Sequence, residues 1–415
     1  MTRRSYALAP ALYAMFVALL LAGSVAGQLL AAPAAQAPAR GTAQRGGTPP
    51  RGAAAPATPA KPAAVVAPKA PAEVPVAEGW PSAQQLAQRR RDAETRRLFQ
   101  TAEPLPFTIV ADFKAIDRDR NPASTKTFPG TISVTDASGQ TVTKPIMLRG
   151  RGHSRRNPRV CDFVPLRLEF DKEEMKGTEF EGHSSLKLGT HCRSVAVFEQ
   201  YVLREYTAYK IMNILTPLSF RVRLAKGTYI DSTSQKTLAT RWAMFAEDDD
   251  DVARRQEGRI DDRPQLLFRH MNGEYLGIMT MFEYMIGNTD VSIATQHNVK
   301  IVETPAGVRY PVPYDFDYSG LVNTSYAVPD KMFSLSSVRQ RLYRGPCRTP
   351  EELEATSAKF RAAKADIYRL YDDQPAFTDA SRQDGQKFLD GFYQTLDKPA
   401  EMKRAFVDGC VRVGM

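Results

Sequence analysis

Apolar and polar positions alternate with a period of two in four runs, 107–113, 130–134, 143–148 and 164–170. Successive side chains of a strand point to opposite faces, so this alternation predicts half-buried strands. Shorter apolar runs at 184–188, 220–230 and 240–245 extend the set into a mostly antiparallel sheet. Between them, Val197, Tyr201, Ala208, Ile211 and Leu215 recur at helical spacing, which predicts a helix over 194–214 with Ser194 as its cap and Pro217 beyond its end. The pattern then turns helical. A segment over 264–286 is interrupted at Asn272-Gly273, and three helices follow at 350–371, 381–396 and 399–411, the first opened by Pro350-Glu351-Glu352. Strands first and helices afterwards predict an α+β chain.

One stretch, 279–326, stands out from this background. An apolar helical run stops at Gly287-Asn288, and a polar loop carrying Asp290, Gln296, His297 and Asn298 follows. Two β-rich runs, 299–303 and 308–312, flank a turn with Pro305 and Gly307, and the second run delivers Asp315 and Asp317. A hairpin thus separates a loop with Asp and Asn from a loop with two Asp. Such an arrangement suits phosphoryl transfer: one carboxylate positions the acceptor hydroxyl, while an Asn and a second carboxylate hold Mg²⁺ against nucleotide phosphates. The plainer alternative is that Asp and Asn simply favour turns.

The N-terminal part is of another kind. Residues 1–35 combine Arg3-Arg4, an apolar run over 11–22 and small residues at Ser24-Val25-Ala26, the pattern of an export signal, or of an uncleaved anchor. Residues 36–76 are dominated by Ala and Pro and predict a disordered spacer. A polar helix is expected over 82–100, and the folded part from near Pro104. The net charge of +10 raises the question of nucleic acid. No zinc-ligand spacing, basic heptad or RNP-like aromatic strand supports a specific nucleic-acid module, and ATP, acidic substrates or an anionic envelope surface account for the charge equally well. The four cysteines allow three pairings in an exported chain. Cys161 with Cys192 in the strand-rich part, and Cys347 with Cys410 in the helical part, are the expected ones. No G-x-S-x-G elbow or H-E-x-x-H helix occurs, which disfavours those hydrolases.

GNTDVSIATQHNVKIV followed by PVPYDFDYSG resembles the catalytic segment of the secreted kinase-like family related to spore-coat protein H (CotH). The resemblance continues upstream through MLRGRGHSRR, VPLRLEFDK and SSLKLGTHCRSVAVFEQYVLREYTAYKI, and covers residues 106–326. It implies an atypical protein-kinase-like fold of two lobes, a strand-rich small lobe over 104–247 and a helical large lobe over 248–415. It further implies transfer of the γ-phosphoryl group of ATP, or another NTP, to a protein hydroxyl with Mg²⁺ or Mn²⁺. Asp290 would orient or deprotonate the acceptor. Asn298 and Asp315 would bind the metal, and Asp317 would be a second ligand or a partner of the small lobe. The Gly-interrupted turn RGRGHSRR reads on its own as either a phosphate cradle or a solvated basic loop. The resemblance favours phosphate contact by Arg149 and Arg151. Lys187 is the candidate nucleotide-phosphate lysine, with Glu205 preferred over Glu199 as its carboxylate. Glu247 falls where a kinase-like chain passes between lobes and would meet adenine. The run Asp248–Asp251 reads as a solvated loop.

The sequence also departs from the kinase pattern. Eight residues separate Asp290 from Asn298, more than in H-R-D-x-x-x-x-N, and D-F-D replaces D-F-G. Two rival readings are a non-catalytic envelope or spore-coat-like binding protein, and a metal-dependent hydrolase or nucleotidyltransferase built on the D-x-D pair.

Overall fold

The computed structural model describes residues 79–412. The export signal or anchor over 1–35 and the spacer over 36–76 lie outside the described residues. The expected polar helix is α1, Ala83–Glu94, opened by a capping box in which Ser82 and Gln85 satisfy each other's backbone N–H groups.

Seven strands close into a barrel: β1 (Leu105–Ala111), β2 (Phe128–Thr135), β3 (Thr141–Gly150), β4 (Leu166–Glu169), β5 (Ser185–Gly189), β6 (Val222–Asp231) and β7 (Thr237–Ala246). Their order around the barrel is β1-β2-β3-β4-β5-β7-β6. Neighbours pair antiparallel except at the seam, where β1 runs parallel to β6 in register from Leu105 opposite Ala225 to Ala111 opposite Asp231. The period-2 alternation fills the interior with Phe107, Ile109, Ile132, Leu148, Leu168 and Phe245. Gly227 belongs to the seam for a steric reason, since a Cβ there would lie 2.4 Å from the Phe107 ring.

Helix α2 (Phe113–Arg118) follows β1, and α3 (Val197–Leu215) lies between β5 and β6. The rest of the chain adds α4 (Asp249–Arg254), a three-stranded sheet of order β10-β9-β8 and the helices α5 (Gly273–Ile286), α6 (Pro350–Asp372) and α7 (Asp379–Asp397). The sheet comprises β8 (Arg259–Ile260), β9 (Val299–Glu303) and β10 (Arg309–Pro313).

The α+β class holds, but the two-lobe kinase-like fold does not. A closed barrel stands where the strand-rich small lobe of a two-lobe fold was expected. Nor is there a boundary near residue 247. Strands β6 and β7 are apolar on both faces: Ala225, Tyr229, Ala243 and Phe245 point into the barrel, while Val222, Leu224, Met244 and Ala246 point outward into the core built by α3, α5, α6 and α7. Helix α3 is buried continuously from Val202 to Tyr209 and contacts β6, β7 and α6. A helix buried on every side joins two layers instead of separating them. The described residues accordingly form one compact unit.

Both expected disulfides form, Cys161–Cys192 and Cys347–Cys410. Two structural disulfides and no free cysteine suit an oxidising compartment. Among the described residues no helix is long and apolar enough to cross a membrane.

Candidate functional site

The hairpin β9–β10 is the scaffold. Val299, Ile301, Val302 and Val312 are fully buried, and Gly307, with φ +75°, makes the turn. Pairing of Pro313 with Val299 brings Asn298 and Tyr314 together at the open end, where the Tyr314 N–H donates to the Asn298 carbonyl at 3.0 Å. At Asp315 the chain leaves the strand through a left-handed residue, φ +63°. The Asp315 N–H then donates to the Tyr209 hydroxyl on α3 at 2.8 Å.

The loop before β9 folds on itself. Ser292 and His297 exchange backbone hydrogen bonds of 3.0 and 2.9 Å, and Gln296, also left-handed, donates through its side chain to the carbonyls of Asp261 and Arg263. This closure absorbs the eight-residue spacing. Asn298 Nδ2 donates to the Asp290 carbonyl at 2.8 Å and to its carboxylate at 3.0 Å, and His297 Nε2 meets the other carboxylate oxygen at 2.9 Å. Burial raises the Asp290 carboxyl, and His297 opposes that rise.

Arg155 joins this loop system to the barrel. It lies in the turn after β3, is buried, and donates from Nη2 to Asp315 Oδ1 at 2.9 Å, with its Nε 3.3 Å from Asp317 Oδ2. Tyr326 donates its hydroxyl to the same Asp317 oxygen at 2.9 Å. Burial pushes the Asp317 carboxyl up to about 6 against the pull of Arg155, and pushes Glu205, which faces the same guanidinium, to about 8. Burial acts on Asp315 too, but Arg155, Arg151 and Lys187 outweigh it and hold that carboxylate below the ordinary range. Arg155 and its cationic neighbours thus lower one carboxyl of the D-x-D pair, while burial raises the other.

Lys187 does not pair with Glu205. Its Nζ bonds Asp249 Oδ1 at 2.5 Å and lies 4.8 Å from the centre of the Tyr314 ring. The reason is register: β5 pairs with β7, Lys187 opposite Ala246, which sets Lys187 beside the first turn of α4. Lys187 and Glu205 still line one narrow recess, along with Arg151, Tyr209 and Tyr314. Nor is the run Asp248–Asp251 a solvated loop. Asp248 caps α4, Asp249 holds Lys187, and the buried Asp251 meets Arg96 at 3.1 Å and Arg254 at 2.8 Å. Asp at a helix cap and in its first turn was the signal available in the sequence.

Glu247 is unavailable to adenine. Its fully buried carboxylate accepts from Arg255 Nε and Nη2 at 2.8 and 2.9 Å and from the Arg221 N–H at 2.9 Å. Arg149 is paired with Glu169 at 2.9 Å. Beside these lies a cationic recess of about 230 Å³, lined by Arg149, Arg151, Arg156, Arg167 and Lys187 together with Gly150 and Gly152. Arg156 is committed to Asp119 and Lys187 to Asp249. Among the described residues, Arg151 has no ion-pair partner, and it lines both this recess and the narrow one beside Asp315.

The acidic residues fit Mg²⁺ only in part. Asp317, its side chain more deeply buried than that of Asp315, gives the same oxygen to both Arg155 and Tyr326. Among the described residues no group of three His, Cys, Asp or Glu side chains is placed to hold a metal. One Asp315 oxygen and the side-chain carbonyl of Asn298 receive no hydrogen bond among the described residues. Two such oxygens suit a Mg²⁺ that takes its other ligands from phosphates and water.

No protein-family model matches the chain, and no curated protein is significantly similar to it.

Proposed function

We propose that the chain transfers the γ-phosphoryl group of ATP, or another nucleoside triphosphate, to a hydroxyl of a protein substrate. One observation carries this reading: Arg151, without an ion-pair partner among the described residues, is one of five cationic side chains around a recess and also acts on Asp315 of the Asp290–Asn298–Asp315 cluster. Phosphate oxygens suit fixed guanidinium groups, and Arg149, Arg151 and Lys187 would hold the triphosphate. Asp290, oriented by His297 and Asn298, accepts the proton of the acceptor hydroxyl. The hydroxyl oxygen bonds to the γ-phosphorus as the bond to the β,γ-bridging oxygen breaks, and the nucleoside diphosphate leaves with that electron pair. Asp315 and Asn298 would hold Mg²⁺. Bound there with the nucleotide, the ion would supply charge neutralisation to the transferred group. Asp317 positions Arg155 and contacts no substrate.

The same reading places the protein outside the cytoplasm, exported through residues 1–35 and possessing two disulfides suited to that setting. A second reading, a non-catalytic anion-binding protein, is favoured only by the Arg155 bridge, which satisfies two carboxylates without any ligand. Incubation with γ-labelled ATP and Mg²⁺ tests the first reading. Label should enter the protein itself or a casein-like acceptor and should be lost in Asp290→Asn. Thermal stabilisation by Mg-ATP without any label transfer would select the binding reading, and neither effect would dismiss both.

A further inference from the structure

A second cavity, of about 270 Å³, lies behind the Asp290 loop and plays no part in the proposed reaction. Its walls are apolar, with Leu266, Met279, Ile293, Leu342 and Val411 among them. At its polar end stands Glu283, 5% exposed, in the last turn of α5. Both carboxylate oxygens of Glu283 are buried without a hydrogen bond, and so is the neighbouring Asn288 amide nitrogen. Burying such groups without partners is costly, so a ligand that satisfies them gains that energy back.

The unbonded carboxylate of Glu283 specifies the ligand's sign. The last turn of a helix presents its free carbonyls and favours cations. Asp290 in the adjoining loop adds negative potential, but less strongly than the Arg344 guanidinium adds positive. The cation of the lining, Arg344, makes no ion pair with Glu283. It donates instead to the carbonyls of Thr289 and Val291, each at 2.7 Å. We propose that this cavity binds a small amphiphilic ammonium compound, its alkyl or aryl part among the apolar walls and its ammonium on Glu283. The assignment stands independently of the phosphoryl-transfer reading.

Calorimetric titration of the full chain with n-hexylammonium, n-hexanol and hexanoate at about pH 9, where Glu283 is ionised and an alkylammonium is still charged, tests it. Hexylammonium should bind at least about tenfold tighter than hexanol, the factor of one modest charge pair, and hexanoate should not bind. Glu283→Gln should erase the preference for the ammonium. Because that residue is internal, a second variant is needed. Ala294 is exposed and lines the cavity mouth, so Ala294→Trp should block entry and weaken hexylammonium by tenfold or more with the core untouched. No binding of any probe, as for a cavity that holds only water, overturns the proposal. So does equal binding of the ammonium and the alcohol, or hexylammonium binding indifferent to both substitutions.

Discussion

Arg155 and Asp315 meet at 2.9 Å across the join between the barrel and the β9–β10 hairpin, 160 residues apart in sequence. The guanidinium is buried, as is Asp317 on its other side. Removing one member of such a set leaves the others charged and dry, a cost of about 3–5 kcal/mol. Arg155→Ala should therefore lower the urea-derived unfolding free energy by that amount. Combining Arg155→Met with Asp317→Asn should recover much of it. A loss below about 1 kcal/mol in Arg155→Ala would mean that the bridge contributes nothing to the fold.

Catalysis should separate the two flanks of the site. Asp315→Asn removes the candidate metal-holding carboxylate and should reduce kcat by about 10²–10³-fold, the scale of a lost electrostatic contact to the transition state. Arg151→Ala should act on nucleotide binding. Loss of a charge-assisted contact, worth about 1.5–3 kcal/mol, should raise KM for ATP by about 10–100-fold with a smaller change in kcat. Steady-state kinetics at varied ATP distinguishes them. Wild-type kcat in Asp315→Asn would remove that residue from the mechanism.

His297 supplies a pH signature that a purely structural role would lack. Burial raises the Asp290 carboxyl and His297 holds it down. If ionised Asp290 accepts the proton, His297→Ala should shift the acidic limb of the kcat/KM profile to higher pH. The plateau should survive, with a loss short of the 10²–10⁴-fold typical of removing the base itself. An unmoved acidic limb would show that the contact does not tune Asp290.

Local patterns in the sequence located nearly every element, because hydrophobic period and turn residues are local properties. The strand runs from 107 to 245, the helices α3, α6 and α7 and the β9–β10 hairpin lie within a few residues of their expected positions, whereas the segment expected from 264 becomes helical only at Gly273. The disulfide pairs were legible for a similar reason, since each joins cysteines within one structural part. Barrel closure was not legible. It depends on β1 pairing parallel with β6, more than a hundred residues away, and no local signal encodes that register. The partners of charged residues failed in the same way. Lys187 could be singled out as a lysine in an apolar strand, yet whether it would meet Glu205 or Asp249 depended on the β5–β7 pairing. Arg155 looked like one more arginine in a basic turn. Its burial against Asp315 and Asp317 follows only from how the barrel packs on the hairpin.

Glu283 yields a prediction about stability and pH. Burial raises its carboxyl to about 8, far above a glutamate in an unfolded chain, near 4.3. Between those values the folded state holds a proton that the unfolded state has released. The unfolded state thus binds fewer protons, and this group's contribution to stability falls as pH rises. The contribution is complete below about 4.3 and is lost as pH passes through about 8. Gln at this position keeps the shape and cannot ionise. The stability difference between Glu283→Gln and wild type should therefore grow in favour of the variant from pH 5 to pH 8, at no more than about 1.4 kcal/mol per pH unit. Urea unfolding at pH 5, 6.5 and 8 measures it. A difference that stays constant over that range would mean that Glu283 is ionised throughout and that burial does not raise its carboxyl.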